Sequence, residues 1–220
     1  MLVDSFAAPM FATNCWVIAP QAGSECVVID PGMPDVSSQL QELLTKHSLK
    51  PVAVIATHGH LDHTFSIQPI ADGYQIPAYI HSLDREALAH PERIHGRDFA
   101  ATLSGYEFVE PGDVRELRSG QTVELVGMKF TAIHSPGHTA GSMMFEIDNE
   151  LLVSGDVLFA GSIGRTDLPS GSAEDMEQTL RKKVLTLADH LRVLPGHGEE
   201  TTIAIEKKSN PYLTTLKGRF

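Results

Sequence analysis

The 220-residue sequence has little cysteine and no long apolar run, and each shortage excludes a class of protein. Its two cysteines, Cys15 and Cys26, form no Cys-x-x-Cys pair and lie in apolar runs, so we expect both to be buried, reduced and inert. No apolar run approaches the ~20 residues that span a bilayer, so we expect no membrane helix. The first ten residues lack the basic and apolar regions of a secretory signal, which predicts a cytosolic protein.

Basic residues are also few, 17 against 28 acidic ones, which leaves a net charge of −11. Such a surface repels phosphate backbones and anionic lipid, and the short basic patches at 181–183 and 207–208 are typical of solvated helix faces. We therefore expect neither a nucleic acid nor a membrane partner. The length and a 42% apolar content indicate a single globular domain over residues 1–220.

The apolar pattern predicts two groups of strands with helices after them. Strands are predicted at residues 2–7, 15–19, 26–30, 52–56, 78–80, 122–125, 129–133, 143–147, 151–154 and 192–194. Helices are predicted at 36–47 with Asp35 as its cap, at 65–71, from Ser172 along the stripe Met176, Leu180, Val184 and Leu187, and at 201–208. Residues 81–119 show only weak periodicity and are interpreted as a rim around a substrate. The repeated order predicts two sheets packed face to face with helices outside.

A histidine cluster follows the predicted strand at 52–56. The segment THGHLDH at 57–63 places His58, His60, Asp62 and His63 around a glycine-containing turn at a strand end, which brings imidazoles and a carboxylate into one cup. Imidazole and carboxylate ligands without thiolate suit Zn²⁺, Mn²⁺ or iron. The sequence therefore predicts a metal site here.

Three other strand ends offer further ligands: His138 in PGHT, Asp156 in SGD and His197 in PGHG. Seven ligands exceed the four of one tetrahedral ion and suit two ions about 3.5–4 Å apart. Asp156 is the best bridge because it alone comes from a strand with no histidine beside it. Two divalent ions, with zinc as the default and iron or manganese as alternatives, would lower the pKa of a shared water to near 7, which predicts hydrolysis. Asp62 is also the catalytic candidate.

The remaining histidines have no comparable context, and we assign none of them to the metal site. One of them, His134, precedes the His138 loop, for which we favour a structural role. The six are His47, His81, His90, His95, His134 and His190.

The motifs THGHLDH at 57–63, PGHTAGS at 136–142, GD at 155–156 and PGHG at 195–198 resemble those of the metallo-β-lactamase superfamily. The resemblance covers nearly the whole chain. It implies the metallo-β-lactamase fold, an αββα sandwich of the α/β (α+β) class, with the metals between the sheets at one rim. It also implies a division of ligands in which Asp156 lies between two ions. One ion would have His58, His60 and His138, and the other Asp62, His63 and His197.

Within that superfamily, GDVLFAGSIGRTDLPSG at 155–171 and TTIAIEKKSNPYL at 201–213 look like the glyoxalase II (hydroxyacylglutathione hydrolase) group. This resemblance implies cleavage of small-molecule thioesters such as S-lactoylglutathione. A thiolate leaves readily because the pKa of its conjugate acid is about 8.5, so no strong general acid is needed. The residues after His197 are too few for the C-terminal helical domain of full-length glyoxalase II, so the chain resembles a short form, and Lys207 and Lys208 are candidates for holding a carboxylate of the thiol carrier.

Two alternatives stay open. Persulfide dioxygenases share the histidine motif and a segment like GRTD at 164–167, and the resemblance implies a single iron held by His58, His138 and Asp156. A metal-binding module without turnover is the second alternative, against which the complete ligand set argues. We interpret Arg165 and Asp167 as a structural pair that braces the loop beyond Asp156.

Overall fold

In the computed structural model, residues 1–32, 36–96 and 105–217 are described. The first of two sheets is built from the N-terminal half of the chain. Its strands, which lie side by side in chain order, are β1 (Leu2–Ala7), β2 (Asn14–Ala19), β3 (Glu25–Ile29), β4 (Lys50–Ile55), β5 (Ala78–His81) and β6 (Val114–Leu117). β1 to β3 are antiparallel, whereas β3 to β6 are parallel.

The second sheet is built from the C-terminal half and is antiparallel except where β10 pairs with β11. Its strands are β7 (Thr122–Leu125), β8 (Met128–His134), β9 (Met143–Ile147), β10 (Leu151–Gly155), β11 (Arg192–Pro195) and β12 (Thr201–Thr202). They also lie in chain order, so the two halves of the chain form two separate six-stranded sheets.

Helices follow both groups of strands. They are α1 (Ser37–His47), α2 (Leu61–Thr64), α3 (Ile67–Tyr74), α4 (Ser82–Arg85), α5 (Glu92–His95), α6 (Ala173–Lys182), α7 (Ile203–Ser209) and α8 (Pro211–Lys217), with 3₁₀ turns at Glu86–Leu88 and Val184–Thr186. The Ser172 side chain accepts a hydrogen bond from the Asp175 amide, which confirms the predicted start of α6. Among the described residues, no helix has the length and apolar character needed to cross a bilayer.

The alternation of side chains along the strands explains the layers. In β2, Trp16 and Ile18 pack with residues of the second sheet such as Phe130 and Phe145, whereas Val17 packs against α1 and α3. The outer face of the second sheet packs in the same way against apolar residues of α6, α7 and α8. A strand that is covered on both faces has a nearly continuous run of apolar residues in its sequence, and β2 is an example. The predicted four-layer αββα arrangement of the α/β class is confirmed.

The structure adds short elements that were not predicted around the histidine cluster and in the middle of the chain. The helix predicted at 65–71 is present as α3, which begins two residues later and ends three residues later, and the short helix α2 before it was not predicted. α2 has a single turn made mostly of polar residues, so it has no apolar periodicity to detect. The segment 81–119 contains α4, α5 and the edge strand β6, which are too short to show a period, and its residues 97–104 lie outside the described part.

The ends of the chain's helices also differ from the prediction. α1 begins one residue later than predicted, and Asp35, its predicted cap, lies outside the described residues. α6 ends at Lys182, and Val184 continues the apolar stripe from a 3₁₀ turn. Residues 201–202 pair with β11 as a strand before α7 begins, and α8 was not predicted from the sequence.

Candidate metal centre

The seven predicted ligands lie together at one edge of the sandwich, where four strands end. His58 and His60 follow β4, and the single turn of α2 carries Asp62 and His63. From the second sheet, loops after β8, β10 and β11 supply His138, Asp156 and His197. Loops at the carboxyl ends of strands are where α/β proteins place ligand sites, because the rigid sheets fix both ends of each loop.

Three histidine nitrogens from both sheets meet in one cluster. His60 Nδ1 lies 3.1 Å from His58 Nε2 and 2.7 Å from His138 Nε2, and the last two atoms are 3.1 Å apart. The three imidazoles are almost completely buried. Because zinc–nitrogen bonds are about 2.0–2.1 Å long, three nitrogens at this spacing can bind one cation together.

A second cluster contains one carboxylate and two imidazoles. Asp62 Oδ2 lies 3.3 Å from His197 Nε2 and 3.5 Å from His63 Nε2, and these two nitrogens are 3.3 Å apart. The Thr13 hydroxyl donates a hydrogen bond of 2.9 Å to Asp62 Oδ2 and fixes that carboxylate from the β1–β2 turn. Asp62, His63 and His197 could therefore bind a second cation.

The Asp156 carboxylate lies between the two clusters. Its Oδ2 is 3.4 Å from His138 Nε2 and 3.5 Å from His197 Nε2, while its Oδ1 is 3.4 Å from His63 Nε2. A third group of candidate ligands, His58, His63 and Asp156, overlaps both clusters. Asp156 thus occupies the position that a bridging carboxylate requires.

Hydrogen bonds outside the clusters determine which ring nitrogen faces inwards. The Asp30 carboxylate accepts hydrogen bonds from His63 Nδ1 at 2.9 Å and from the Thr57 hydroxyl at 2.6 Å. With its own proton donated to Asp30, the Thr57 oxygen is left to accept from His58 Nδ1 at 3.1 Å. Both rings therefore carry their proton on Nδ1 and point Nε2 into the site, as metal-binding histidines normally do.

Main-chain contacts orient the ligands from the second sheet. His138 Nδ1 donates to the Arg165 carbonyl at 2.8 Å, which leaves His138 Nε2 free of a proton. Asn14 Nδ2 donates to the carbonyls of Pro195 and Gly198 at 3.0 and 2.9 Å and holds the His197 loop. A Cβ on Gly196 would lie 2.1 Å from Asp156 Oδ1, so only glycine allows this loop to approach the carboxylate.

Burial makes the three-histidine cluster electrically neutral. Removal from water lowers the pKa of His58 and of His60 well below the usual range and also lowers the pKa of His138. The neighbouring imidazoles add to this effect because protonated rings would repel each other. Neutral imidazoles with an unprotonated nitrogen are the form that binds a cation.

The second cluster has the opposite character because carboxylates surround its imidazoles. Burial alone would lower the pKa of His63, but the charges of nearby carboxylates, Asp156 above all, raise it to about 9. Burial also acts against protonation of His197, yet hydrogen bonds to Asp156 and Asp62 raise its pKa to about 10. Although burial raises the pKa of Asp62 and of Asp156, the charge of His63 lowers both below the ordinary value.

Two buried polar atoms of the site have no hydrogen-bond partner within the described part of the chain, namely Asp156 Oδ1 and His60 Nε2. Buried polar atoms are normally paired, and a buried carboxylate oxygen without a donor is costly. A cation bound by Asp156 would supply the missing interaction. Together with the imidazole and carboxylate donors around it, this oxygen indicates that the residues fit divalent metal ions.

A cavity of about 420 Å³ opens over the clusters. Its outer wall is formed by Phe11, Arg165, Leu168 and His95. This volume suits a small-molecule substrate. His95, which the sequence analysis set aside, therefore lies at the site, but its Nε2 accepts a hydrogen bond of 2.8 Å from the Leu61 amide and so is occupied.

Sequence reasoning missed Asp30 as a site residue. Asp30 lies at the end of an apolar strand, as Asp156 does, and this position could have identified it as a site residue. It was overlooked because the DPG segment at 30–32 is typical of a turn. The expected Arg165–Asp167 pair is present, with two hydrogen bonds of 2.8 and 2.7 Å, and is exposed. Lys207 instead donates to the Leu187 carbonyl and to Asp189.

The chain belongs to the metallo-beta-lactamase superfamily, whose family model matches residues 8–197. A curated relative, an uncharacterized protein of Mycobacterium tuberculosis (strain ATCC 25618 / H37Rv), is 40% identical over 223 residues, covering 98% of this chain and 99% of its own. Hydroxyacylglutathione hydrolase GloC of Haemophilus influenzae is 30% identical over 225 residues, with coverage of 98% and 99%.

Solved structures show the same fold. The BLEG-1 B3 metallo-beta-lactamase has a TM-score of 0.83 at 31% identity, covering 97% of this chain and all of its own. TTHA1623 in a di-iron-bound form has a TM-score of 0.76 at 32% identity, with the same coverage. ETHE1 from Myxococcus xanthus has a TM-score of 0.75 at 23% identity, covering 99% and 90%, and shares the fold. Fold, family and site geometry together place the chain in a metallo-hydrolase superfamily.

Proposed function

We propose that the protein is a single-domain, two-metal hydrolase of small-molecule thioesters, of the S-lactoylglutathione type. The observation that carries this proposal is the position of Asp156, whose carboxylate lies within 3.5 Å of nitrogens from both ligand clusters. His58, His60 and His138 would hold one divalent ion, and Asp62, His63 and His197 the other. Zinc suits these ligands, with iron and manganese as alternatives.

A pair of divalent ions held by these residues would lower the pKa of a bound water to near 7 and would polarise a substrate carbonyl. The chain's own residues orient and shield the reaction. Asp30, Thr57 and the Arg165 carbonyl fix the imidazoles, so little reorganisation is needed during the reaction. Asp62, ionised and held in place by the Thr13 hydroxyl, is the catalytic candidate, because its carboxylate would orient a water activated by the ions by accepting a hydrogen bond from it.

The choice of a thioester rests on three supports. The relative GloC carries the name hydroxyacylglutathione hydrolase and matches this chain over almost its whole length. The cavity over the clusters has the volume of a small-molecule site and includes Arg165 among its lining residues. A thiolate leaving group requires no strong acid, and the acidic side chains at the site, Asp62 and Asp156, have lowered pKa values.

A persulfide dioxygenase with one iron is the second candidate. The pairing of His138 with both His58 and Asp156, at 3.1 and 3.4 Å, gives the ligand set that this activity would use. The second cluster supports the hydrolase, because its three ligand atoms lie 3.3–3.5 Å from one another and could bind a second ion. The presence of Asp62 and His197 alone does not decide the number of ions, since persulfide dioxygenases keep similar residues.

We also propose that the protein acts in the cytosol without nucleic acid or membrane partners. Cys15 and Cys26 are both buried and unbridged, which agrees with a reducing compartment. The net charge of −11 disfavours polyanionic partners.

Metal-free protein reloaded with Zn²⁺, Mn²⁺ or Fe²⁺ provides the test. Each form is analysed for metal content, for thiol release from S-lactoylglutathione and for oxygen uptake with glutathione persulfide. Two equivalents of metal with thiol release support the hydrolase. One equivalent of iron with oxygen uptake would replace it by the dioxygenase, and metal binding without either activity would contradict both.

A further inference from the structure

A buried carboxylate that is not among the proposed ligands connects two of the ligand loops. Asp84 lies in α4 and is only 1% exposed. α4 begins directly after β5, where the His81 side chain caps it by accepting a hydrogen bond from the Leu83 amide. The end of β5 neighbours that of β4, because the two strands are parallel, so α4 lies beside the loop that contains His58 and His60.

Asp84 accepts hydrogen bonds from both sides. Oδ2 accepts from the Gly59 amide at 2.8 Å and from the Thr139 hydroxyl at 2.6 Å, while Oδ1 accepts from the Gly141 amide at 2.8 Å. Gly59 lies between His58 and His60 in the first sheet's loop. Thr139 and Gly141 follow His138 in a loop of the second sheet, so one carboxylate joins the two loops whose imidazoles form the three-histidine cluster.

Two glycines make this close approach possible. A Cβ on Gly141 would lie 2.5 Å from the Asp84 carboxylate, and one on Gly59 would lie 3.1 Å from Asp84 Cβ and 2.9 Å from that of Ala87. Side chains at these positions would push the loops away from Asp84. Gly59 of HGH and Gly141 of AGS therefore leave the space that the Asp84 carboxylate occupies between the two loops.

We propose that Asp84 is a positioning residue that sets the spacing of His58, His60 and His138 and thereby the affinity of that cluster for a divalent cation. This inference rests on the proposed metal centre and extends it. A carboxylate is required because it accepts at both oxygens, whereas an asparagine presents an NH₂ group on one side. In D84N, that NH₂ group would face either the Gly141 amide or the donors of Gly59 and Thr139, and one loop would have to move away.

The test is a Co²⁺ titration of metal-free protein, followed by visible absorption and analysed for the dissociation constant of each equivalent. The variants are D84N, the milder Thr139→Val and, as a control, Glu206→Gln. T139V removes one of the three hydrogen bonds to Asp84, together with the 2.8 Å contact between the Thr139 and Ser142 hydroxyls. Glu206 is also 1% exposed and accepts hydrogen bonds from Thr201, Gly161 and Asn210, none of which lies in the loops that carry His58, His60 and His138. D84N and E206Q thus remove a similar buried carboxylate, and only Asp84 contacts the loops that carry the three-histidine cluster.

We expect wild-type protein to bind two equivalents and D84N to bind one of them about 10–100-fold more weakly, the usual effect of removing a residue that orients metal ligands. T139V should show a smaller loss of affinity for the same equivalent of Co²⁺. If D84N does not fold, the affinity of T139V tests the role of Asp84. E206Q should lower thermal stability and leave unchanged the dissociation constant of the equivalent that D84N weakens.

Two equivalents with wild-type constants in D84N and T139V would overturn the role of Asp84 and leave the metal centre intact. No Co²⁺ binding by the wild type would overturn the metal centre and the Asp84 role with it. If the wild-type protein binds only one equivalent of Co²⁺, the two-metal function is contradicted. In that case, weaker binding of this equivalent by D84N supports the role of Asp84, and unchanged binding overturns it.

Discussion

The Asp30 carboxylate accepts a hydrogen bond of 2.9 Å from His63 Nδ1, and the same oxygen accepts one from the Thr57 hydroxyl. Asp30 follows β3 with a positive φ of 50°, a conformation uncommon outside glycine. Through Thr57 it also orients His58, so one buried carboxylate selects the tautomer of an imidazole in each ligand cluster.

Replacing Asp30 with asparagine should weaken metal binding more than it weakens the fold. Asp30 Oδ2 accepts from the His63 ring and the Thr57 hydroxyl, while Oδ1 accepts from the Thr57 backbone amide at 2.7 Å. An asparagine would turn its NH₂ group toward the donors on one of these two sides, so in either orientation a hydrogen bond is lost and the loop has to shift. Metal affinity should fall about 10–100-fold. Competition with a chromogenic chelator measures this loss, with Asp113→Asn, an exposed change next to Arg115, as the control. Wild-type affinity in D30N would show that Asp30 does not orient the ligands.

Asp156→Ala removes the carboxylate that the two clusters share. We expect the variant to retain less than one equivalent of tightly bound metal and to lose thioesterase activity by about 10³-fold or more, since the ions contribute several kcal/mol of transition-state stabilisation. Metal analysis and kcat/KM for S-lactoylglutathione measure the two effects. Wild-type metal content together with wild-type turnover would refute the bridging position.

A substitution at Arg165 distinguishes the effect of its main chain on the metal site from that of its side chain. The Arg165 carbonyl orients His138, whereas the guanidinium pairs with exposed Asp167. In Arg165→Ala the carbonyl remains, so metal content should equal that of the wild type. Loss of the exposed ion pair should change the free energy of unfolding by about 1 kcal/mol or less. Metal analysis and denaturant unfolding measure these quantities, and a clear fall in metal content would show that the side chain holds the loop.

Metal uptake should depend on pH because protons compete for the second cluster. In the metal-free protein, the raised pKa values of His63, about 9, and His197, about 10, mean that both rings are protonated at neutral pH. A cation must displace these protons, so its apparent affinity should rise with pH up to about 10, and binding at pH 7.5 should release protons. Calorimetry in buffers of different ionisation enthalpy counts them. Affinity independent of pH between 6.5 and 8.5 would contradict this protonation pattern.

The sequence predicted those features that depend on short-range patterns. The strand ends with His58, His138, Asp156 and His197 could be found because apolar runs stop directly before polar residues and glycines. Asp84 could not be found, because its role depends on two loops that are more than fifty residues apart in the sequence. The Gly59 amide of one loop and the Gly141 amide of the other donate to Asp84 from opposite sheets. His95 was missed for the same reason, as α5 shows no period and its contact with Leu61 is tertiary.

Anomalous X-ray diffraction at the absorption edge of the bound metal, from crystals of metal-loaded protein, tests the paired centre most directly. Two peaks about 3.5–4 Å apart on either side of the Asp156 carboxylate are the predicted result. One of them should contact the three-histidine cluster and the other Asp62, His63 and His197. Peaks elsewhere on the protein, or none at these side chains, would contradict the account.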